Sequence, residues 1–278
     1  MEFFSPFSTA WLLGLATALL ATGLVAGVLA GLLGVGGGIV IVPVLYHLFT
    51  LLGVDESVRM HAAVGTSLAT IIPTSILSSR SHRKRGSLDM SLIKRLMPSV
   101  VVGVIVGSVA SRFLSGASLT AVFASIALLV ALNMALKRDG VAVANGLPGT
   151  AGTALLGGGI GGVSTLMGIG GGTLSVPILN ALRVPMHTAV GTGAMLGMVI
   201  SFPGALAFIL NGLDVPNRPP LSLGYVNLLG FALIVPATLA TAGWGAKLAH
   251  AINAQRLRQV FAAFLALTAA RMFYGLLT

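Results

Sequence analysis

A glycine-rich segment that ends in a proline and two aliphatic residues occurs twice in this chain. The first copy reads Gly-Val-Gly-Gly-Gly-Ile-Val-Ile-Val-Pro-Val-Leu over residues 34–45, and the second reads Gly-Ile-Gly-Gly-Gly-Thr-Leu-Ser-Val-Pro-Ile-Leu over residues 168–179. Both copies interrupt long apolar runs, and a glycine inside a helix costs about 1 kcal/mol relative to alanine. The motif therefore predicts a broken helix at the same place in each half of the chain.

The composition places these broken helices in a membrane. Hydrophobic residues make up 56% of the 278 residues and charged residues only 8%, whereas about a quarter of the residues in soluble domains are charged. A helix needs about 20 residues to cross the bilayer, and the apolar runs provide about ten such segments. We predict an all-α polytopic membrane protein whose first apolar run is retained as a span and not cleaved as a signal peptide.

A second block of shared residues extends the duplication. His61 begins the block His-Ala-Ala-Val-Gly-Thr, and His187 begins the block His-Thr-Ala-Val-Gly-Thr. We assign a first transmembrane repeat to residues 1–138, a linker to residues 139–149 and a second repeat to residues 150–278. Each repeat holds five segments, and an odd number reverses the second copy in the membrane. The sequence thus predicts two inverted five-segment repeats with glycine-broken half-helices.

The basic residues predict the orientation of these segments. Six Lys and Arg residues lie between residues 80 and 95, in the predicted loop after the third segment. Loops rich in Lys and Arg remain cytoplasmic, so counting segments places both termini in the periplasm. The segment Thr173–Leu182 reaches only about 15 Å, half a membrane. Whether it crosses or re-enters is left open, and re-entry would move the carboxyl terminus inside.

The acidic residues favour an anionic or neutral substrate. All six carboxylates fall at a terminus or in a predicted loop: Glu2, Asp55, Glu56, Asp89, Asp139 and Asp214. Proton- and cation-driven pumps commonly hold Asp or Glu inside the bilayer. A carboxylate proton relay and a cationic substrate therefore both lose support.

The helices that begin after the two glycine clusters are the predicted binding site. A helix N-terminus presents unpaired N–H groups and the positive end of its dipole, which together suit an anion. The candidate substrate-binding residues are Gly36, Gly37, Gly38, Thr66, Ser67, Gly170, Gly171, Gly172, Asn180 and Thr192. The alternative is that the glycines allow close helix packing and that Asn180 forms an interhelical hydrogen bond.

His61 and His187 occupy equivalent positions and are candidates for proton coupling or substrate binding. Imidazole titrates near pH 6.5, and the alternative is a polar residue at a helix start. His82 is interpreted as a loop or structural residue. The chain has no cysteine, no HExxH, no Walker sequence and no GxSxG motif, so we expect no catalytic residue, no metal and no cofactor.

The two glycine–proline motifs and the two His-x-Ala-Val-Gly-Thr blocks resemble those of the TauE/SafE sulfite exporter family. The resemblance covers essentially the whole chain. Members of the family are bacterial inner-membrane permeases associated with export or uptake of sulfite, sulfonates and related sulfur-containing anions. The resemblance implies this substrate class but does not separate one such anion from another.

We therefore expect a multi-pass protein of the bacterial inner membrane. It is expected to be a secondary transporter, and more specifically an exporter, of sulfite, an organosulfonate or a related small sulfur-containing anion. An anion channel and a non-transporting membrane subunit are the alternatives. The expected partners are the small anion, a coupled proton and the lipid bilayer, with no nucleic acid because the basic residues serve orientation. A homodimer, the coupling ion and import against export are left open.

Overall fold

Ten helices and one short hairpin form the part of the chain that the computed structural model describes, residues 9–33, 37–136, 146–248 and 254–277. The first five helices are α1 (Thr9–Leu33), α2 (Gly38–Leu51), α3 (Glu56–Lys84), α4 (Met90–Phe113) and α5 (Gly116–Leu136). They are followed by α6 (Thr150–Met167), α7 (Gly171–Ala181), α8 (Met186–Gly212), β1 (Ser222–Leu223), β2 (Val226–Asn227), α9 (Leu228–Leu248) and α10 (Ala254–Leu277).

Six of these helices are long and apolar enough to cross a membrane. Their membrane-compatible segments are Leu13–Gly31, Glu56–Lys84, Met90–Phe113, Gly116–Leu136, Met186–Gly212 and Leu228–Gly245. The two helices that follow the glycine motifs are short, with 14 residues in α2 and 11 in α7. The prediction of an all-α membrane protein is confirmed.

The helices break at the glycine motifs because glycine adopts backbone angles there that other residues avoid. Gly168 ends α6 with φ 64°, and Gly37 precedes α2 with φ 74°. These left-handed conformations carry no penalty for a residue without Cβ. At the end of α6, the N–H of Ile169 donates to the carbonyl of Ser164 at 3.0 Å, which satisfies a helix end that would otherwise be buried unpaired.

The predicted basic loop is mostly helical, which corrects the sequence-based boundaries. Helix α3 continues to Lys84 and α4 already begins at Met90, so most of the basic side chains lie on helix ends. Asp89 starts α4 by accepting hydrogen bonds from the N–H groups of Ser91 and Leu92 at 2.9 and 3.0 Å. Basic residues in the last turn of α3 also interact favourably with its dipole.

A two-stranded hairpin formed by β1 and β2 directly precedes α9. Ser222 pairs with Asn227 and Leu223 with Val226. The Asn227 side chain then caps α9, since its Oδ1 accepts from the N–H of Gly230 at 2.8 Å. Residues 222–227 therefore belong to a folded loop and not to a membrane segment.

Helices α3 and α8 form the centre of the bundle and run antiparallel. Gly191, near the start of α8, lies against the carbonyl of Ser87 just after α3. Gly204, in the second half of α8, faces Leu68 in the first half of α3, with 3.2 Å between an ideal Cβ and that side chain. Although α3 is rich in Ser and Thr, 78% of its apolar span is buried, against 33% for the spans of α1, α5 and α9.

The outer helices pack in pairs that repeat between the halves of the chain. Helix α1 packs along α9, α6 packs along α4, and α5 packs along α10. Gly27 of α1 lies against the backbone of Thr238, and Gly161 of α6 lies against the backbone of Val100. Gly27 and Gly161 are separated by the same 134 residues as the two glycine motifs, so equivalent glycines make equivalent helix contacts.

Asp55 caps α3 at the other end of the bundle. Its carboxylate accepts from the N–H and the hydroxyl of Ser57 at 2.9 and 2.7 Å and from the amide of Asn217 at 3.3 Å. These hydrogen bonds, first of all those from Ser57, hold the pKa of the Asp55 carboxyl below its ordinary value. The cap ties the loop after α8 to the start of α3.

Candidate functional site

A cavity of about 160 Å³ opens between α3, α7 and α8, at the second glycine motif. Helix α3 and the residue after it contribute Thr74, Ser75, Leu77, Ser78, Ser81, His82 and Arg85. The other lining residues are Gly170, Gly171 and Gly172 at α7, Gly193, Ala194 and Gly197 on α8, Ala30 and Gly31 on α1, and Ala242 and Gly243 on α9.

The inner end of this cavity is the N-terminus of α7. The N–H groups of Gly171 and Gly172 have no acceptor among the described residues, as expected of the first residues of a helix. An ideal Cβ on Gly197 would lie 2.7 Å from Ser75 Oγ and 3.6 Å from the nitrogen of Gly171. The missing side chain at Gly197 thus leaves open the point at which a hydroxyl and a helix N-terminal N–H converge.

The wall and mouth of the cavity are formed by a polar stripe on α3. Its members are Thr74, Ser75, Ser78, Ser81, His82 and Arg85. The spacing is that of one helix face, so a search for period 3.6 among polar residues would have found the stripe in the sequence. His82 is half-buried on the helix and Arg85 is exposed at the mouth, which corrects the placement of His82 in a loop.

The charges at this cavity suit an anion. Arg85 supplies a permanent positive charge, and none of the described residues that line the cavity is acidic. The dipole of α7 adds partial positive charge at the inner end, because Gly171 and Gly172 are its first two residues. Both ends of the cavity therefore attract negative charge.

The two predicted glycine clusters have different surroundings. Gly170, Gly171 and Gly172 line the cavity. Gly37 and Gly38 are buried, and an ideal Cβ on Gly38 would lie 2.5 Å from the carbonyl oxygen of Gly168. The first cluster is thus packed directly against the second motif, and Gly36 lies outside the described residues.

The predicted hydroxyl ligands also differ from one another. Thr66 Oγ1 accepts from the N–H of Asn227 at 2.8 Å, and Ser67 Oγ donates to the carbonyl of Gly168 at 2.7 Å. Both hydroxyls tie distant parts of the chain together in this conformation. Thr192 is fully buried next to Gly193 of the cavity, and its hydroxyl has no hydrogen-bond partner among the described residues.

Asn180 is separated from the cavity. It is exposed on the last turn of α7, nine residues after Gly171 and so about 14 Å away along the helix axis. Its main-chain carbonyl accepts from the N–H of Arg183 at 3.1 Å. Among the described residues, no hydrogen bond joins Asn180 to another candidate ligand.

His61 and His187 lie at opposite ends of the bundle. His61 is buried, with Nε2 3.2 Å from the carbonyl of Ser111 and its ring stacked on Tyr225 at 4.9 Å between centroids. His187 is exposed at the start of α8, and four residues later an ideal Cβ on Gly191 would lie 3.5 Å from His82 Cβ. His187 is therefore at the end to which the cavity opens.

Comparison with known proteins shows the family. The family model described as "Sulfite exporter TauE/SafE" matches residues 19–272. The chain belongs to this family. It is 35% identical to a probable membrane transporter protein of Haemophilus influenzae over 257 residues, which cover 91% of this chain and 96% of that protein.

Two further relatives of this TauE/SafE family member carry the same description. A probable membrane transporter protein of Bacillus subtilis is 29% identical over 84% of this chain and 87% of the relative. One from Methanocaldococcus jannaschii is 25% identical over 89% of this chain and 91% of the relative. No solved structure matches the chain. The family and the six membrane-capable helices identify a multi-pass membrane transporter.

Proposed function

We propose that this protein is a secondary transporter that moves sulfite, an organosulfonate or a related small sulfur-containing anion across the bacterial inner membrane. The observation that carries the proposal is the cavity that ends on the free N–H groups of Gly171 and Gly172. A helix N-terminus binds an oxyanion through backbone N–H groups and its dipole. In this proposal the anion enters past Arg85 and binds between Ser75 and the start of α7.

The size of the cavity supports a small substrate. Its 160 Å³ is room for several water molecules. A small oxyanion with part of its hydration shell therefore fits this space. The substrate class itself comes from the family description, "Sulfite exporter".

Alternating access between two inverted repeats is the proposed mechanism, with repeats at residues 1–138 and 150–278. Inverted repeats place equivalent helices antiparallel, and α3 and α8, which carry the equivalent His blocks, are antiparallel. The equivalent helix contacts of Gly27 and Gly161 support the same symmetry. The conformation described here would then be the one in which the site is open on the Arg85 side.

Flux measurements on purified protein in liposomes test the proposed function. A carrier is expected to show saturable uptake of radiolabelled sulfite and acceleration by sulfite on the other side. Large unitary currents without such acceleration would indicate an anion channel instead. Absence of any anion flux from the protein alone would favour a non-transporting membrane subunit.

Charge reversal at Arg85 should weaken anion entry from its own side. The Arg85→Glu variant is expected to raise the KM for sulfite about three- to tenfold at low ionic strength and less at high salt, because a surface charge steers an ion over roughly a Debye length. Arg83→Glu is the matched control, since Arg83 is exposed but does not line the cavity. Equal effects of both variants would contradict a role specific to the cavity mouth.

The two equivalent histidines should determine the pH dependence of transport. Histidine is the side chain that most readily changes charge in the physiological pH range, and a protonated imidazole attracts an anion, so we expect the flux to rise as the pH falls. The double variant His61→Ala, His187→Ala should lose this rise, as measured by initial sulfite flux between pH 5.5 and 8 at equal protein levels. His47→Ala, on α2 and outside the cavity lining, is the control. An unchanged pH profile in the double variant would show that neither histidine carries the proton.

The proposed topology makes a separate prediction. A single cysteine placed near Arg85 should be protected from a membrane-impermeant maleimide in cells with a permeabilised outer membrane, whereas one added after Thr278 should react. The basis is the retention of basic segments on the cytoplasmic side and an odd number of segments in each repeat. Protection of both cysteines would contradict the five-plus-five inverted arrangement. The chain has no native cysteine, so no background substitution is needed.

A further inference from the structure

We propose that the bundle contains a second half-pathway, closed in this conformation, which leads to the side opposite the cavity and is lined by the hydroxyls of Ser164 and Ser201. This inference rests on the proposed transport function and names the route by which the anion leaves the site. Ser164, on α6, and Ser201, on α8, are both fully buried. Neither hydroxyl has a hydrogen-bond partner among the described residues, although buried hydroxyls normally have one.

The repeat relates these two serines to residues of the open cavity. The spacing of 126 residues between His61 and His187 makes Ser201 the equivalent of Ser75. The spacing of 134 residues between the glycine motifs makes Ser164 the equivalent of Ala30. Ser75 and Ala30 both line the cavity, so Ser164 and Ser201 occupy the matching positions of a second pathway.

A contact next to these serines supports the same equivalence. An ideal Cβ on Gly204 would lie 3.2 Å from Leu68 and 3.5 Å from Thr165. The residues equivalent to these three are Ser78, Ala194 and Gly31, and all three line the open cavity. The three residues that line the open cavity on the Arg85 side therefore have equivalents that are packed against one another on the opposite side.

Two bulky side chains fill the space on the closed side. Phe208 is the equivalent of His82 and Ile71 is the equivalent of Gly197, and both are fully buried. The Phe208 ring packs near Tyr225, with 6.3 Å between centroids. Ile71 Cδ1 would lie 2.8 Å from an ideal Cβ on Gly38. On the closed side, an aromatic ring and a branched aliphatic chain thus occupy the positions that are equivalent to those of His82 and Gly197 beside the open cavity.

The hairpin holds this side closed. The N–H of Asn227 donates to Thr66 Oγ1 at 2.8 Å, and the N–H of Tyr225 donates to the carbonyl of Phe208 at 3.2 Å. Thr192 is the equivalent of Thr66, and its hydroxyl is buried without a partner among the described residues. The threonine hydroxyl is therefore hydrogen-bonded to the hairpin on the Phe208 side, whereas the equivalent hydroxyl on the Arg85 side has no partner among the described residues. This difference is expected of two gates that close alternately.

Cysteine accessibility from each face of the membrane tests the second half-pathway. Single variants Ser75→Cys, Ser164→Cys and Ser201→Cys are exposed to an impermeant cationic methanethiosulfonate in right-side-out and in inside-out vesicles. Thr238→Cys is the matched control, since Thr238 is equally buried but donates to the carbonyl of Ile234 at 2.7 Å. Each thiol variant is made both with native Phe208 and with Phe208→His. Histidine is chosen because His82 is the equivalent of Phe208 on the open side.

The Ser164→Cys and Ser201→Cys variants should react from the face opposite to the one that labels Ser75→Cys. Their reaction should be about tenfold faster with Phe208→His, because a smaller and polar gate raises the population of the open state. The Thr238→Cys variant should remain unreactive. Should Phe208→His not fold, reaction from that face in the native background, accelerated by sulfite, supports the proposal by itself.

Failure of this inference can be distinguished from failure of the proposed function. If liposomes show sulfite counterflow but Ser201→Cys reacts only from the Ser75→Cys face or from neither face, the transporter stands and the second half-pathway is wrong. If Ser164→Cys and Ser201→Cys react as expected but no anion is transported, the pathway stands and the proposed substrate or function is wrong.

Discussion

Replacing Gly197 with alanine is expected to reduce sulfite flux about a hundredfold while the amount of folded protein in the membrane stays close to wild type. The added methyl group would lie at the inner end of the cavity, 2.7 Å from Ser75 Oγ and 3.6 Å from the nitrogen of Gly171. It would exclude the anion from two donors at once. Two hydrogen bonds to a charged ligand, at about 1.5 kcal/mol each, account for a factor of about 100.

The fold should tolerate this alanine because the near contact is with a movable group. Ser75 Oγ is at the end of a side chain that can rotate, and 3.6 Å to the Gly171 nitrogen is an ordinary contact distance. Alanine is also a better helix former than glycine inside α8. The substitution therefore separates the binding site from the stability of the bundle.

Gly243→Ala is the matched control for Gly197→Ala. Gly243 lines the same cavity, but an ideal Cβ there would meet no atom within 4 Å. Flux per folded molecule is measured in liposomes for both variants, with protein amounts set equal by size-exclusion chromatography in detergent. Wild-type flux in Gly197→Ala would show that the anion does not bind at the start of α7.

The sequence predicted the broken helices correctly because their cause is local. The half-helix predicted at Thr173–Leu182 is observed at Gly171–Ala181, and α6 ends at Met167, directly before the second glycine motif. Both results follow from the backbone preference of consecutive glycines. Boundaries set by tertiary contacts were missed, such as the end of α3 at Lys84 and the hairpin before α9.

The candidate site was predicted only in part for the same reason. Gly171 and its neighbours were identified from the helix start that they form. The surroundings of Thr66 and Ser67 could not be predicted, since Thr66 bonds to Asn227 and Ser67 to Gly168, more than 100 residues away in each case. The polar stripe on α3 was missed because the basic residues from position 80 onward suggested a loop, whereas the helix continues to Lys84.

Replacing Gly171 with leucine is expected to abolish the flux and to lower both the amount and the melting temperature of the folded protein. An ideal Cβ on Gly171 would lie 2.7 Å from the nitrogen of Gly197 and 2.7 Å from the carbonyl carbon of Leu196. These are backbone atoms of α8 and cannot rotate away as Ser75 Oγ can. Helix α7 would have to separate from α8, and overpacking of this kind costs about 1–3 kcal/mol or more, a large part of a typical folding free energy.

Gly159→Leu is the control that separates this effect from a general intolerance of leucine for glycine. Gly159 is exposed on α6, and an ideal Cβ there would meet no atom within 4 Å, so its membrane level and melting temperature should stay near wild type. Fluorescence-detected size-exclusion chromatography of both variants, with a thermal ramp, measures the difference. Wild-type abundance and melting temperature in Gly171→Leu would mean that α7 can move away from α8 at little cost. Close packing of the two helices would then not explain the glycine at position 171. The remaining explanation would be that the anion needs the space.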